Sequence, residues 1–143
     1  MKGRRPCPPP PDRVTATPAA VELLTKLTEL HGGLMIHQSG GCCDGSAPMC
    51  YPVGEFRVGQ RDVLVGIVDL PAPLPEVRIW INGDQFELWK HTQLILDVVK
   101  GRGAGFSLEA PEGVRFLSRS RAFDDDEMAL LAANPPKVGA DFE

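Results

Sequence analysis

No stretch of the sequence is apolar over anything near the ~20 residues of a membrane-spanning helix, so no membrane partner is expected. Excess positive charge is missing too. The 15 Lys and Arg stand against 19 Asp and Glu, a net charge of −4. Nucleic-acid binders carry a basic footprint, so nucleic acid is not an expected partner either. The basic start Met1-Lys2-Gly3-Arg4-Arg5 runs into Pro6 to Pro11 and not into the apolar stretch of a signal peptide. A cytoplasmic location is therefore expected. There is no internal repeat and no Cys-x-x-Cys pair. Ser39 and Ser46 lack the strand–elbow–helix setting of a hydrolase nucleophile. Asp62, Asp69 and Asp97 are scattered near strand ends and suggest no paired acid and base.

What is present is a chain of 143 residues with 15 Gly, 14 Pro and four Cys. That length suits one domain, and such a domain hides roughly 68–70% of its unfolded surface. Disulfides or a metal are not needed merely to fold it. Residues 1–12 read as a disordered, Pro-rich leader. Residues 13–127 read as a single α+β domain, and residues 128–143 as a C-terminal helical turn and tail. A helix is expected over residues 18–30, capped by Thr17 with Pro18 in its first turn. Ala20, Leu23, Leu24, Leu27 and Leu30 fall on one face of it, and Gly32 and Gly33 end it.

After the helix the period changes to two. Strands are expected at 34–38, 63–68, 77–81, 94–99, 105–109 and 114–117, with a helical turn at 84–91. Residues 39–52 read as a loop from their Gly, Pro and Ser content. An acidic cap at 124–127 leads into a last helical stretch. One helix followed by a run of strands means α+β.

The chemistry concentrates in the segment from His37 to Pro52. Cys42, Cys43 and Cys50 lie within nine residues of one another. In a reducing compartment clustered cysteines are more often metal ligands or redox thiols than bridges. Thiolates select zinc, copper(I) and iron–sulfur chemistry, and a tetrahedral zinc needs a fourth ligand. His37 is the nearest in sequence; Asp44 and the more distant His91 are weaker candidates. The spacing is no standard zinc-finger spacing, and adjacent cysteines reach one metal only if the chain turns, as Gly41 and Gly45 allow. A redox pair of Cys50 with Cys42 or Cys43, or burial of the cysteines as small hydrophobes, are the other readings. Cys7 stands apart in the proline tract. Arg115, Arg119 and Arg121 alternate along the last strand, as a solvated face or a surface for an acidic partner.

Two resemblances arise at this loop. The segments Ala16-Thr17-Pro18-Ala19-Ala20, His37 to Gly45, Pro48-Met49-Cys50-Tyr51-Pro52, Trp89-Lys90-His91-Thr92-Gln93 and Arg115 to Arg121 resemble the bacterial family catalogued as domain of unknown function 779, over roughly residues 13–127. Members are often encoded beside aldehyde dehydrogenases, which implies such an enzyme as a partner. More distantly, Thr17-Pro18-Ala19-Ala20, a helix, a strand, Gly40-Gly41-Cys42 and Tyr51 are similar in order to A-type iron–sulfur carriers of the HesB-like fold. That resemblance implies one N-terminal helix followed by a mostly antiparallel β-sandwich or barrel of short strands. The carriers' final Cys-Gly-Cys is replaced by Val114-Arg115-Phe116, so cluster-carrier function does not transfer.

The function expected from all of this is that of a metal-binding accessory protein supporting an aldehyde dehydrogenase. Cys42, Cys43, Cys50 and His37 would hold zinc, iron or an iron–sulfur cluster. A thiol-redox protein or enzyme of aldehyde or alcohol metabolism is the second expectation, and a purely structural partner protein the third. An exposed sheet edge would support a homodimer.

Overall fold

A computed structural model describes residues 10–38, 48–54, 58–101 and 107–142. The chain enters on a strand, β1 (Val14–Ala16), and turns at Thr17 into helix α1 (Pro18–His31). Thr17 is the cap that the sequence predicts: the Ala20 N–H donates to its Oγ1 at 3.2 Å. Its hydroxyl in turn donates to Asp97 at 2.8 Å, on strand β6 (Thr92–Lys100). The helix start is thus fastened to a distant strand through one side chain. Ala20, Leu24 and Leu27 are buried as the spacing requires, and Thr28 joins them. Leu30 does not: it is 62% exposed. It lies on the flank of the apolar stripe, in the last turn, where the core no longer reaches the helix. Gly32 closes the helix at φ +86°, with its N–H on the Thr28 carbonyl.

The remaining strands are β2 (Leu34–Gln38), β3 (Met49–Pro52), β4 (Val63–Val68), β5 (Val77–Ile81) and β7 (Val114–Ala122). Helix α2 (Gly83–Trp89) lies between β5 and β6, and α3 (Asp125–Ala132) follows β7. One sheet has the order β1-β6-β7 and the other β3-β2-β5-β4. The α+β class stands, with three helices among the described residues. Three of the five strand pairings among the described residues are antiparallel, as expected of a mostly antiparallel arrangement, but the expected barrel is corrected. Each sheet is mixed, because β1 pairs parallel with β6 and β2 pairs parallel with β5. No sheet closes into a barrel among the described residues.

The chain also places a strand before the first helix. Residues 49–52, read from composition as loop, pair antiparallel with β2. Of the strand expected at 105–109, residues 107–109 form a bend and turn that lead into a 3₁₀ turn at Ala110–Glu112; residues 105 and 106 lie outside the described residues.

The core lies where the two sheets and α1 meet. Val14, Leu24, Leu27, Ile36, Ile79, Ile81, Leu96 and Phe116 are among its buried members. The two sheets touch where β1 passes β4. There Gly66, beside an irregularity in the β4–β5 register, has room for no side chain, since a Cβ would lie 2.9 Å from that of Val14. Across the other sheet Arg119 donates to Asp97 at 2.7 Å. The Arg119 bond first, then the Val98 N–H and the Thr17 hydroxyl, hold the Asp97 carboxyl below the ordinary carboxylate range.

The C-terminal stretch packs back on the fold. Asp124 and Glu127 form a reciprocal capping box at the start of α3. The Arg13 guanidinium donates to the carbonyls of Leu131 at 3.0 Å and Asn134 at 2.9 Å. Residues 137–142 then return to the β3-β2-β5-β4 sheet, where Leu64 N–H donates to the Lys137 carbonyl at 2.8 Å.

Candidate functional site

A strand sends successive side chains to opposite faces, and β2 applies this rule to the residues singled out in the sequence. Leu34, Ile36 and Gln38 point inward, so Met35 and His37 point outward. The register carries the same division to the neighbours. Ile36 is opposite Cys50 on β3 and Ile79 on β5, and His37 is opposite Met49 and Trp80. Cys50 therefore belongs to the inner face, with no exposed surface, inside the apolar core. His37 belongs to the outer face. The two side chains do not meet at one point, although their strands are adjacent.

His37 meets Asp62 instead. Its Nε2 lies 3.0 Å from Asp62 Oδ2, and the two side chains are only 4% and 11% exposed. A carboxylate accepts, so Nε2 is the nitrogen that carries the proton in this bond. Asp62 Oδ2 also accepts the Gly59 N–H at 2.8 Å. Asp62 stands immediately before β4, at the end of a turn over residues 59–62. The sequence offers no signal for this partner: it is 25 residues from His37, and only the pairing of β2, β5 and β4 brings the two together. A cleft of about 420 Å³, lined by residues 59–62 and 82–84, opens beside Asp62.

On the inner face a second polar group surrounds Cys50. Its N–H donates to Ser107 Oγ at 2.8 Å, and the Leu108 N–H donates to its carbonyl at 3.0 Å. The Ser107 hydroxyl donates to the buried Glu109 carboxylate, whose other oxygen accepts the Phe116 N–H at 3.2 Å. This network ties β3 to the turn before β7. Burial first, and the Glu109 carboxylate second, push the Cys50 thiol far above its ordinary range. Gln38, inward like Ile36, accepts a hydrogen bond from Ser118 of β7 at 3.2 Å.

The other candidates are placed as follows. Cys42, Cys43 and Asp44 lie outside the described residues, as does Cys7. Cys42, Cys43 and Asp44 belong to the sequence segment 39–47, which follows His37 and Gln38 at the end of β2. His91 is exposed in the turn after α2, lining a cavity of about 190 Å³ with Trp89, Arg119 and Ser120. Among the described residues no three His, Cys, Asp or Glu side chains come together closely enough to hold a metal ion. Arg119 and Arg121 are paired within the chain, to Asp97 and Glu127.

A family model described as "Domain of unknown function (DUF779)" matches residues 23–122. No curated protein and no solved structure matches the chain.

Proposed function

The chain belongs to the DUF779 family, and from that premise we propose that it is a metal-binding accessory protein whose centre is built on the segment after β2. One observation carries the reading. His37 is buried, and a carboxylate that is itself fixed by a backbone N–H orients its ring. Metal-binding imidazoles commonly have such a carboxylate on their second nitrogen, which fixes the tautomer and raises the basicity of the ligand. The soft donors for the same centre are Cys42 and Cys43, five and six positions further along the chain. A thiolate–imidazole donor set suits zinc or iron.

Cys50 fits this donor set poorly. Its thiol sits in the apolar core on the other face of the sheet from His37, with no exposed surface. The centre proposed therefore uses His37, Cys42 and Cys43, with Asp44 as a further oxygen donor. The same burial weighs against Cys50 as half of a redox pair. The similarity in order to A-type carriers, with Gly40-Gly41-Cys42 after a helix and a strand, supports a metal at this segment. Cluster transfer is not proposed, because the final cysteine pair of the carriers is missing. The proposed role is to support an aldehyde dehydrogenase, the partner implied by the family resemblance.

Metal analysis and an absorption spectrum of anaerobically purified protein test the centre. About one metal ion per chain is expected, falling several-fold in Cys42→Ser and in His37→Ala but not in Cys50→Ala. Iron bound to thiolates gives visible absorption, whereas zinc is silent. A metal content near zero that is unchanged by Cys42→Ser would overturn the proposal. Co-purification with an aldehyde dehydrogenase tests the partner separately.

A further inference from the structure

We infer that the C-terminal segment 137–142 is a working part of the His37 site: it positions the Asp62 carboxylate that orients the imidazole. The inference deepens the metal-binding reading and rests on it for its consequence, though not for its geometry. The segment lies beyond residues 23–122, the part matched by the family model.

The turn that carries Asp62 is held from the C-terminal side by backbone hydrogen bonds. The Gly139 N–H donates to the Asp62 carbonyl at 2.8 Å, and the Ala140 N–H to the Gln60 carbonyl at 3.0 Å. In the other direction the Leu64 N–H donates to the Lys137 carbonyl, and Val63 and Val138 form an antiparallel bridge. These contacts engage residues 60, 62, 63 and 64, the run that contains Asp62.

Sterics lock the same turn from two sides. A Cβ on Gly139 would overlap the Gly59 carbonyl oxygen, and a Cβ on Gly83, at the start of α2, would lie 2.6 Å from the Arg61 carbonyl oxygen. Backbone thus presses on backbone at both places, and neither position admits a side chain unless the turn moves. The far end of the segment is anchored on the outer face that His37 shares. The Phe142 ring packs edge-on against Trp80, the register partner of His37, at 5.6 Å between centroids, and Arg78 lies over Phe142 at 4.8 Å. A displacement of a few tenths of an ångström in the turn would lengthen or misalign the 3.0 Å bond from His37 to Asp62. Asp62, Gly139 and Gly83 are therefore positioning residues, acting on the metal through His37.

The test uses the full chain and two readouts. One is the ¹⁵N shifts of the His37 ring in chelator-treated protein, which distinguish the two tautomers. The other is zinc affinity by competition titration. The parent chain is expected to hold a single Nε2–H tautomer. Gly139→Ala and Gly83→Ala are expected to lose that fixed state and to weaken zinc roughly 10–100-fold, the usual cost of disturbing an outer-shell partner. If the parent chain binds no zinc, the metal reading fails, while the ring shifts still decide the positioning inference. Unchanged ring shifts in folded Gly139→Ala overturn the inference, even if zinc affinity falls. Should Gly139→Ala not fold, Phe142→Ala loosens the segment at its anchor without touching the turn. The same loss of the fixed tautomer is then expected, and unchanged shifts overturn it.

Discussion

Cys50 and His37 show how much a single residue's environment decides. Both are conspicuous in the sequence, thirteen positions apart, and chemistry alone would place them in one ligand set. In the fold one is a core thiol and the other a carboxylate-bound imidazole on the opposite face. The two environments make different predictions. Cys50 should resist alkylation in the native protein from pH 7 to 9, and should react within minutes once the chain is unfolded in denaturant. Mass spectrometry of the labelled protein reads both. Ready native labelling of Cys50 would contradict its burial.

The sign of the pH dependence follows from the same environment. The folded thiol is raised above its unfolded value near 8.5. Its contribution to stability is therefore complete below that pH and is lost progressively as pH rises above it. Asp62 marks the limit of reading single residues. A lone Asp before an apolar run carries no sign in sequence that a histidine 25 positions earlier will find it.

At the scale of elements, the helix and most of the strands were legible because their periodicity is set by burial on one face. Thr17 and Pro18 mark the start of α1 in sequence and do so in the fold. The misread elements have physical reasons. β3 is four residues long and ends in Pro, so its composition is that of a loop; it is a strand because β2 supplies a pairing edge. Residues 107–109 alternate like a strand, yet Ser107 and Glu109 turn inward to satisfy backbone groups of Cys50 and Phe116.

The element packing also makes a sharp prediction at Gly66, where β1 passes β4. A side chain there would overlap Val14, whose Cβ is 2.9 Å from the position a new Cβ must take. Gly66→Ala should cost about 1–3 kcal/mol of stability, the range for overpacking a core. A urea unfolding curve measures it, and a loss of less than about 0.5 kcal/mol would show that the sheets part more easily than the packing implies.

At the scale of the whole molecule, the C-terminal segment returns to the edge of β4 and lays Phe142 against Trp80 of β5. Trp80 is 4% exposed with the Phe142 ring against it. Phe142→Ala should therefore shift Trp80 emission to longer wavelength as water gains access. The chain has one other tryptophan, Trp89, so the measurement belongs in a Trp89→Phe background. An unshifted spectrum would mean that other groups cover Trp80 without the segment.

The sequence by itself determined the α+β class, the cap and inner face of α1 up to Leu27, and the segment where three of the four cysteines concentrate. Those follow from local rules, in which neighbours along the chain decide capping, periodicity and turn chemistry. Tertiary structure alone decided that β2 pairs parallel with β5 and that Cys50 faces away from His37. It also decided that Asp62 is the partner of His37 and that residues 137–142 clamp the turn that holds it. Each of these depends on which segments distant in the chain share a hydrogen-bonded register. That register is set by the joint burial of Ile36, Cys50 and Ile79 on one face, a sum over strands that no single stretch of sequence contains.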